Sequence, residues 1–265
     1  MTKKSIREHV SAFNENKLSD QHICDLKIAR EIQQQFIPQH TISINNYLVT
    51  SLYRPSYFLS GDFFDYVALG KNKIGIFIVD VIGKGIKASF TTILIKSIFQ
   101  QVIYLKNPIT PKSMMTELNK ELYSQIALNK KGGYGFYGVI DTEKHTLSYC
   151  HCGIGVANHY RGTYKFELNK YGSVGVGLIE NTQYTEGITQ LAKNDVIILS
   201  TDGIEDVKDE SGKRIGFNWL DSLVSNNCQK RTTKSVINQI EEYIQKKTES
   251  REFLEDDIAC ICIEC

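Results

Sequence analysis

Residues 74–85, IGIFIVDVIGKG, begin as an apolar β-strand and end in a glycine-rich turn before a helical run. β-branched and aromatic residues fill most of the first six positions, which is typical of a buried strand. The strand ends at Asp80, so this carboxylate is held at a fixed point on the rim of a sheet. A single acid at such a place usually forms a turn. Its role therefore depends on whether other acids reach the same rim.

The chain after residue 40 contains runs that predict strands and runs that predict helices. The other strand runs are YLVTSLY (47–53), YGFYGVID (134–141), HTLSYCHC (145–152), VANHYRG (156–162), VIILS (196–200) and DIACICIE (257–264). Helices are predicted in the runs that begin at Ile86 and at Pro111, where Thr110 is a plausible N-cap, and around residues 217–226 and 236–244. Adjacent strand runs with segregated helices favour an α+β layered fold over a doubly wound parallel sheet.

Two helical runs have apolar faces. From about Ser19 to Phe36, one stripe contains Leu26, Ala29, Ile32 and Phe36, and Pro38 ends the helix. The run from Ile86 is expected to be a core helix, with Phe90, Leu94, Ile98, Val102 and Leu105 on one face. We predict a helical extension at residues 1–40 and one compact domain at residues 41–265. One interpretation of the first stripe is that it pads this domain.

Composition excludes several classes of function. The 265 residues carry 31 basic and 30 acidic side chains, a net charge of +1, which argues against nucleic-acid or membrane-surface binding. The longest apolar stretch is interrupted by Lys87 and Lys96, and the N-terminus lacks an apolar signal region, so we expect a cytoplasmic protein. The odd number of cysteines, seven, indicates reduced thiols. The pairs Cys150/Cys152 and Cys260/Cys262 fall in strand runs and are predicted to be core residues rather than zinc ligands.

Further acids are placed like Asp80. Asp202 directly follows the run VIILST, and Asp256 and Asp257 precede the last strand, while Asp62 lies in SGDFFD at 60–65. Carboxylates brought together repel one another, and some would have to stay protonated. A hard divalent cation such as Mg²⁺ or Mn²⁺, which prefers oxygen ligands, removes that cost. The acids therefore predict a metal site at a sheet rim.

Five segments together resemble the metal-dependent protein phosphatases (the PPM or type 2C family), in the bacterial subgroup of RsbU and SpoIIE type. They are AREIQQQFIP, YRPSYFLSGDFFDY, FIVDVIGKGIKAS, VIILSTDGIED with RIG following, and EDDIACICI, and they span residues 29–263. Each segment alone is weak, but five in the family's order are a strong signal. This chain has SGD and DVIGKG where the subgroup usually has GGD and DVSGKG, and YCHCGIG replaces a typical asparagine-alanine-glycine-histidine turn.

The resemblance implies a β-sandwich of two antiparallel sheets flanked by helices on both sides. It also implies two divalent cations, Mn²⁺ or Mg²⁺, that activate a water for attack on phosphorus. One cation would be held by Asp62, Asp80 and the backbone carbonyl of Val81, and the other by Asp80, Asp202 and Asp256. Asp80 and Asp202 would thus serve catalysis through the metals. Asp257 is the alternative to Asp256 if the double acid is one place out of register.

Other motifs are weaker. SGDFFD is nearly the GGDEF signature of cyclic-dinucleotide synthases, but Phe63 replaces the acid that should follow Asp62. Gly83-Lys84-Gly85 lacks the spacing of a nucleotide-binding loop. A helix N-terminus follows it, which favours anions, so Lys84 is a candidate substrate-side residue. His151 and His159 are expected to be structural. Asp65 and Glu205 lie near the proposed cluster, and hydrogen bonds to a turn or support of the ligands are expected for them at least as much as direct binding of metal.

The predicted function is hydrolysis of phosphoserine or phosphothreonine on a protein. The resemblance implies that the substrate is a phosphorylated anti-anti-sigma protein of the STAS type, in a partner-switching pathway. Helix Leu26 to Phe36 and the segment after Gly85 are the predicted docking surface. The resemblance also associates a helical lead-in with dimerisation and with switching of the active site, so a homodimer through the N-terminal helix is the second interpretation of its apolar stripe. The alternative is a catalytically weak or inactive module with the same fold that binds a phosphoprotein.

Overall fold

The computed structural model of the chain describes residues 20–38, 41–105, 110–126, 132–170, 172–208, 213–214, 216–226, 233–248 and 254–265. Its helices are α1 (Asp20–Gln34), α2 (Gly85–Leu105), α3 (Pro111–Ile126), α4 (Asn218–Asn226) and α5 (Thr233–Thr248). Its strands are β1 (Ile42–Ile44), β2 (Tyr47–Arg54), β3 (Asp62–Ala68), β4 (Lys73–Val81), β5 (Gly133–Asp141), β6 (Thr146–Cys152), β7 (Val156–Arg161), β8 (Tyr164–Glu167), β9 (Gly187–Gln190), β10 (Val196–Ser200) and β11 (Ile258–Glu264). A 3₁₀ turn, Asp202–Ile204, follows β10.

The strands form two antiparallel sheets. The first has the order β1-β2-β11-β10-β7-β8, and the second has the order β3-β4-β5-β6-β9. Strand β11 shows how the sheets are layered, because its residues alternate between two cores. Ala259, Ile261 and Ile263 lie in the core between the sheets, whereas Ile258, Cys260 and Cys262 lie in a second core on the outer face. This alternation is the period of two expected of a strand buried on both sides.

Helices cover both outer faces. Residues of α2 and α3, such as Phe99 and Leu118, join the core that contains the second sheet. Residues of α4 and α5, such as Leu220 and Ile240, join the core on the outer face of the first sheet. The order of layers is therefore helices, sheet, sheet, helices, which confirms the predicted α+β sandwich.

Local sequence signals account for several boundaries. Helix α3 starts at Pro111, and the Ser113 amide donates to the Thr110 hydroxyl oxygen over 3.2 Å, so Thr110 is the N-cap as predicted. Between β5 and β6, Asp141 Oδ1 accepts from the amides of Glu143 and Lys144. The cysteines of both C-x-C pairs are free and buried in the cores.

Helix α2 is a core helix, but its predicted face was partly wrong. Ile98 and Val102 are buried as predicted, while Phe90 and Leu105 are 69% and 72% exposed. The buried face consists of Ala88, Ser89, Thr92, Ile95, Ile98, Phe99 and Val102. Within the described residues, α2 alone is long and apolar enough to cross a membrane. A core helix of this kind passes the same test, so the finding is weak evidence for a membrane span.

Helix α1 does not bury its apolar stripe. Ile32 is 48% exposed, Leu26, Ala29 and Phe36 are only partly buried, and Gln33 is the helix's buried residue. The chain enters the core just after the helix, at Ile37. The stripe is thus not padding for the domain. The division at residue 40 stays a prediction, and Ser19 lies outside the described residues.

Candidate active site

Asp62 and Asp80 lie directly opposite each other on neighbouring strands. Asp62 is the first residue of β3 and Asp80 the penultimate residue of β4, and the antiparallel register pairs them. Side chains at such positions have Cβ atoms about 5 Å apart. Asp62 is 2% exposed and Asp80 is partly buried. The second sheet alone therefore brings two of the predicted ligand residues together.

The first sheet brings the other acids to the same end of the sandwich. β10 and β11 are antiparallel, with Ser200 opposite Cys260, so residues after β10 meet residues before β11. Asp202 opens the 3₁₀ turn there, facing the chain around Asp257. The approach is close, because a Cβ added at Gly203 would lie 1.9 Å from the Asp257 carbonyl oxygen. Only glycine fits at position 203.

Hydrogen bonds join the two sheets at this rim. The Thr201 hydroxyl donates to Asp62 Oδ2 over 2.7 Å, and the Ala259 amide donates to the same hydroxyl oxygen over 3.0 Å. The Gly61 amide donates to Asp257 Oδ2 over 2.8 Å. Thr201, a buried polar residue directly after a strand of the first sheet, thus fixes the carboxylate of Asp62 on the second sheet.

Val81 and Gly61 pack against each other beside these acids. The Val81 amide donates to the Gly61 carbonyl over 3.3 Å. A Cβ added at Gly61 would lie 3.1 Å from the carbonyl oxygen of Val81. The absence of a side chain at position 61 therefore leaves that carbonyl uncrowded next to Asp62, where the predicted backbone ligand should be.

The carboxylates raise one another's pKa values. Burial, and then the charges of Asp80 and Asp257, raise the pKa of Asp62 well above its usual range. Burial, and then the charges of Asp202, Asp256 and Asp257, raise the pKa of Asp80 to about 7. The pKa of Asp202 is also raised, first by burial and then by Asp256. Four acids at one rim lack enough positive charge to neutralise them, which is the situation that a divalent cation relieves.

Asp256 and Asp257 have different surroundings. Asp257 is 4% exposed, and its two oxygens accept three hydrogen bonds, from the Ser56 amide (2.7 Å), the Ser56 hydroxyl (2.8 Å) and the Gly61 amide. Asp256 is partly exposed, and its Oδ2 lies 2.8 Å from Lys84 Nζ. The oxygens of Asp257 thus already accept hydrogen bonds from the protein, whereas Asp256 forms an ion pair with Lys84.

The oxygen-rich donor set fits a hard cation such as Mg²⁺ or Mn²⁺. As they stand, no three His, Cys, Asp or Glu side chains of the described ranges are gathered tightly enough to hold a metal ion. The fold brings Asp62, Asp80, Asp202 and Asp256 to one rim without drawing them into a closed ligand sphere. Their assignment as ligands stays a prediction.

Other predicted residues lie around this rim in different roles. Asp65 pairs with Lys96 over 3.2 Å and is turned away from the acids. Glu205 follows the 3₁₀ turn and contributes to the raised pKa of Asp202. His159 Nε2 lies 2.7 Å from Asp195, in a buried pair outside the rim. Burial lowers the pKa of His151, which favours its neutral form.

Sequence reasoning missed the neutral residues that hold the acids. Thr201, Ser56, Ser60 and Gln33 all bond to the rim or its loop. The burial of Gln33 could have been predicted from its spacing. It lies four residues from both Ala29 and Ile37, on the side of the helix that faces the core. A cavity of about 800 Å³ borders the same helix, lined among others by Gln34, Thr50 and Tyr53, and lies apart from the four acids.

The model of the family described as Stage II sporulation protein E (SpoIIE) matches residues 70–265. The chain belongs to the SpoIIE family. This confirms the resemblance that the five segments indicated.

Relatives and structures agree with this assignment. The chain is 25% identical to the phosphoserine phosphatase RsbP of Bacillus subtilis over 185 residues, covering 69% of this SpoIIE-family chain and 45% of RsbP. It is 25% identical to the phosphoserine phosphatase RsbU of Bacillus subtilis over 190 residues, covering 71% of this chain and 55% of RsbU. The chain thus spans about half the length of these two curated relatives. The SiaA-PP2C domain of Pseudomonas aeruginosa superposes with a TM-score of 0.78 at 20% identity, covering 93% of this chain and 98% of that domain.

Proposed function

We propose that this chain is a protein serine/threonine phosphatase that uses two divalent cations, Mn²⁺ or Mg²⁺. The observation that carries the proposal is the meeting of Asp62 and Asp80 from one sheet with Asp202 and Asp256 from the other. Burial and the charges of neighbouring carboxylates raise the pKa values of Asp62, Asp80 and Asp202, which is what a local lack of positive charge produces. The names of RsbP and RsbU, both phosphoserine phosphatases, support the same reading.

The residues divide into two ligand sets that share Asp80. Asp62, Asp80 and the Val81 carbonyl would hold one cation, and Asp80, Asp202 and Asp256 the other. When bound, such a pair of cations lowers the pKa of a water and neutralises charge on a phosphoryl group. The register that sets Asp80 opposite Asp62, with Asp202 and Asp256 arriving from the other sheet, supports its place as the shared residue.

The chain's own residues prepare this rim. Thr201 holds Asp62 from the opposite sheet, so that carboxylate keeps one orientation. Asp257 holds the loop of residues 56–61 through three hydrogen bonds. Lys84, whose side chain is 58% exposed, places a positive charge beside Asp256 at the open side of the rim. That position suits an electrostatic contact with a phosphate group on a protein.

The buried cysteines are unsuited to covalent catalysis. Burial raises the pKa of the Cys260 thiol to about 12, and the thiol is fully buried. A thiol in that state is a poor nucleophile at neutral pH. The buried cysteines therefore do not support a route through a phosphorylated cysteine.

For the substrate, we propose a phosphorylated STAS-type anti-anti-sigma protein in a partner-switching pathway in the cytoplasm. The support for this choice is the relationship to RsbP and RsbU. The residues described at the site do not themselves distinguish one phosphoprotein from another. Ile28 and Ile32 on α1 and Ile86 and Phe90 on α2 are exposed apolar side chains. They support the predicted docking surface on these two helices, or a homodimer through α1.

The chemistry is tested by turnover of an aryl phosphate with and without Mn²⁺. We expect hydrolysis with Mn²⁺, and its loss when EDTA is added. Turnover in a metal-stripped sample would contradict the proposal. Calorimetric binding of Mn²⁺ without turnover of any phosphoprotein would instead identify the binding module.

The substrate is tested separately with phosphorylated STAS proteins from the same organism. Phosphate loss is followed by mass spectrometry, with unrelated phosphopeptides as controls. We expect faster loss from at least one STAS protein. Hydrolysis of the control peptides alone would leave the phosphatase chemistry and remove the partner-switching role.

A further inference from the structure

Helix α1 buries one residue, and that residue is polar. Gln33 is 3% exposed, whereas Ile28 and Ile32 of the same helix are about half exposed. A helix that packs against a domain for hydrophobic reasons would bury its isoleucines. The fully buried contact of α1 with the domain is therefore made by the Gln33 side chain, whose amide needs hydrogen-bond partners.

The Gln33 amide binds the backbone of Ser60 on both sides. Its Nε2 donates to the Ser60 carbonyl over 2.8 Å, and its Oε1 accepts from the Ser60 amide over 3.0 Å. Ser60 is fully buried, so water cannot easily replace these bonds. Two bonds in opposite senses fix both the position and the rotation of this backbone segment.

Ser60 passes this constraint to Asp62. The Ser60 hydroxyl oxygen accepts from the Asp62 amide over 3.0 Å. Between them, the Gly61 amide donates to Asp257, and the Gly61 carbonyl accepts from the Thr92 hydroxyl over 2.8 Å. Residues 60–62 are thus held by α1 on one side and by α2 and the β11 end on the other. Asp62 starts its strand from a segment whose placement depends on Gln33.

We propose that Gln33 is a positioning residue for Asp62, acting through Ser60, and that its two bonds to the Ser60 backbone raise the affinity of the site for its cation. This inference rests on the proposed function. Residues that orient metal ligands typically change metal affinity by about 10–100-fold when they are mutated. Gln33 acts one bond further away, and we expect an effect near the lower end of that range.

The test compares Gln33→Met with Gln35→Met. Methionine keeps the side-chain length and the helix preference but removes both bonds to Ser60. Gln35 is exposed and only its backbone bonds are found in the structure, so it is a matched control. For Gln33→Met we expect Mn²⁺ affinity, measured by calorimetry, to fall roughly tenfold. In metal-free protein, the amides of residues 60–62 should exchange hydrogen faster, while those of β4 and β5 should not change.

A double-mutant cycle shows whether the effect passes through Ser60. Ser60→Ala removes the hydroxyl that accepts from Asp62, and it should weaken Mn²⁺ binding on its own. Because Gln33 and Ser60 act in series, the double variant should lose less affinity than the product of the two single losses. Independent, multiplying losses would contradict the proposal.

The failure of this inference can be told apart from failure of the proposed function. If wild-type protein does not bind Mn²⁺, the proposed function fails. The inference fails if wild type binds Mn²⁺ and Gln33→Met binds it with an affinity within twofold of wild type. A lower melting temperature with unchanged hydrogen exchange at residues 60–62 would then show that Gln33 only stabilises the packing of the helix. Should Gln33→Met not fold, Gln33→Asn is used instead, because it shortens the side chain and weakens both bonds to Ser60 without burying a charge, and a smaller loss in the same direction is expected.

Discussion

Strand β10 has a buried acid at one end and an acidic rim at the other, and the two ends differ in the charge around them. Asp195, just before β10, is 1% exposed and accepts from Arg161 Nη2 over 2.7 Å and from the Ala192 amide, with His159 Nε2 at 2.7 Å. Although burial by itself raises the pKa of Asp195, its hydrogen bonds to Arg161 and His159 hold that pKa below the usual value. At the other end, Asp62 is buried to the same degree, but its charged neighbours are acids.

The comparison separates burial from function. A buried carboxylate with enough donors and positive charge is part of the structure and needs nothing more. A buried carboxylate among other carboxylates is costly until something positive arrives. The sign of the neighbouring charges, and not the depth of burial, therefore marks the functional end of the sandwich.

The largest expected effect comes from removing the shared acid of the functional end. Asp80→Asn should lower phosphatase activity by more than about 100-fold, because losing a direct ligand should cost at least as much as losing its supporting residues. The variant should stay folded, since repulsion around Asp62 falls. Activity with Mn²⁺ and the urea midpoint are measured together. Wild-type rates in Asp80→Asn would refute the site assignment.

A second test compares the two neighbouring acids, because the oxygens of Asp257, like those of Asp195, accept hydrogen bonds from the protein, whereas Asp256 lies at the open side of the rim. Asp256→Asn should weaken Mn²⁺ binding by at least about tenfold. Asp257→Asn should bind Mn²⁺ more nearly as wild type does, but lose roughly 1–2 kcal/mol of stability, because an amide nitrogen would replace an acceptor for Ser56 or Gly61. Calorimetry and urea unfolding give the two quantities. If Asp257→Asn loses more metal affinity than Asp256→Asn, the register is off by one.

At the structural end, Asp195→Asn should act on stability alone. The substitution leaves Arg161 and His159 without their carboxylate, and we expect the free energy of unfolding to fall by roughly 2–3 kcal/mol. This is less than for a fully buried pair, because the Arg161 side chain is 44% exposed. Urea unfolding measures the loss. Activity per folded molecule should equal that of wild type; a loss comparable to that of Asp80→Asn would mean that the two ends are not separate.

The sequence predicts where the strands lie better than it predicts which residues pack against one another. The runs YLVTSLY and VIILS became β2 and β10, as their content of β-branched, aromatic and other apolar residues predicts. Strand β3 was missed because Asp62 and Asp65 interrupt its pattern, although both are buried. Phe90 was placed in the core by its helical spacing, but a helix this apolar offers more than one face, and packing against the sheet chose another.

The acids of the site were found because they stand at the ends of recognisable strands. The residues that hold them were not, since their contacts join distant parts of the chain. Thr201 binds Asp62 across 139 residues, and Gln33 binds Ser60 across 27. No local pattern encodes such pairs. They follow only from the arrangement of both sheets and helix α1.

The smallest expected effect is the pH dependence of stability in metal-free protein, which should come from one end of β10 only. The pKa of Asp80 rises on folding from 3.8 to about 7, so between these values the folded protein holds a proton that the unfolded chain has lost. Raising the pH through that window therefore lowers the free energy of unfolding, on the order of 1 kcal/mol between pH 5.5 and 7.5. Asp195, whose pKa is lowered, is ionised in both the folded and the unfolded state in that window, and it contributes to the pH dependence of stability only below its ordinary pKa.

Urea unfolding in EDTA at both pH values should thus show a smaller pH effect in Asp80→Asn and an unchanged one in Asp195→Asn. Equal pH effects in wild type and Asp80→Asn would show that the pKa of Asp80 is not raised on folding.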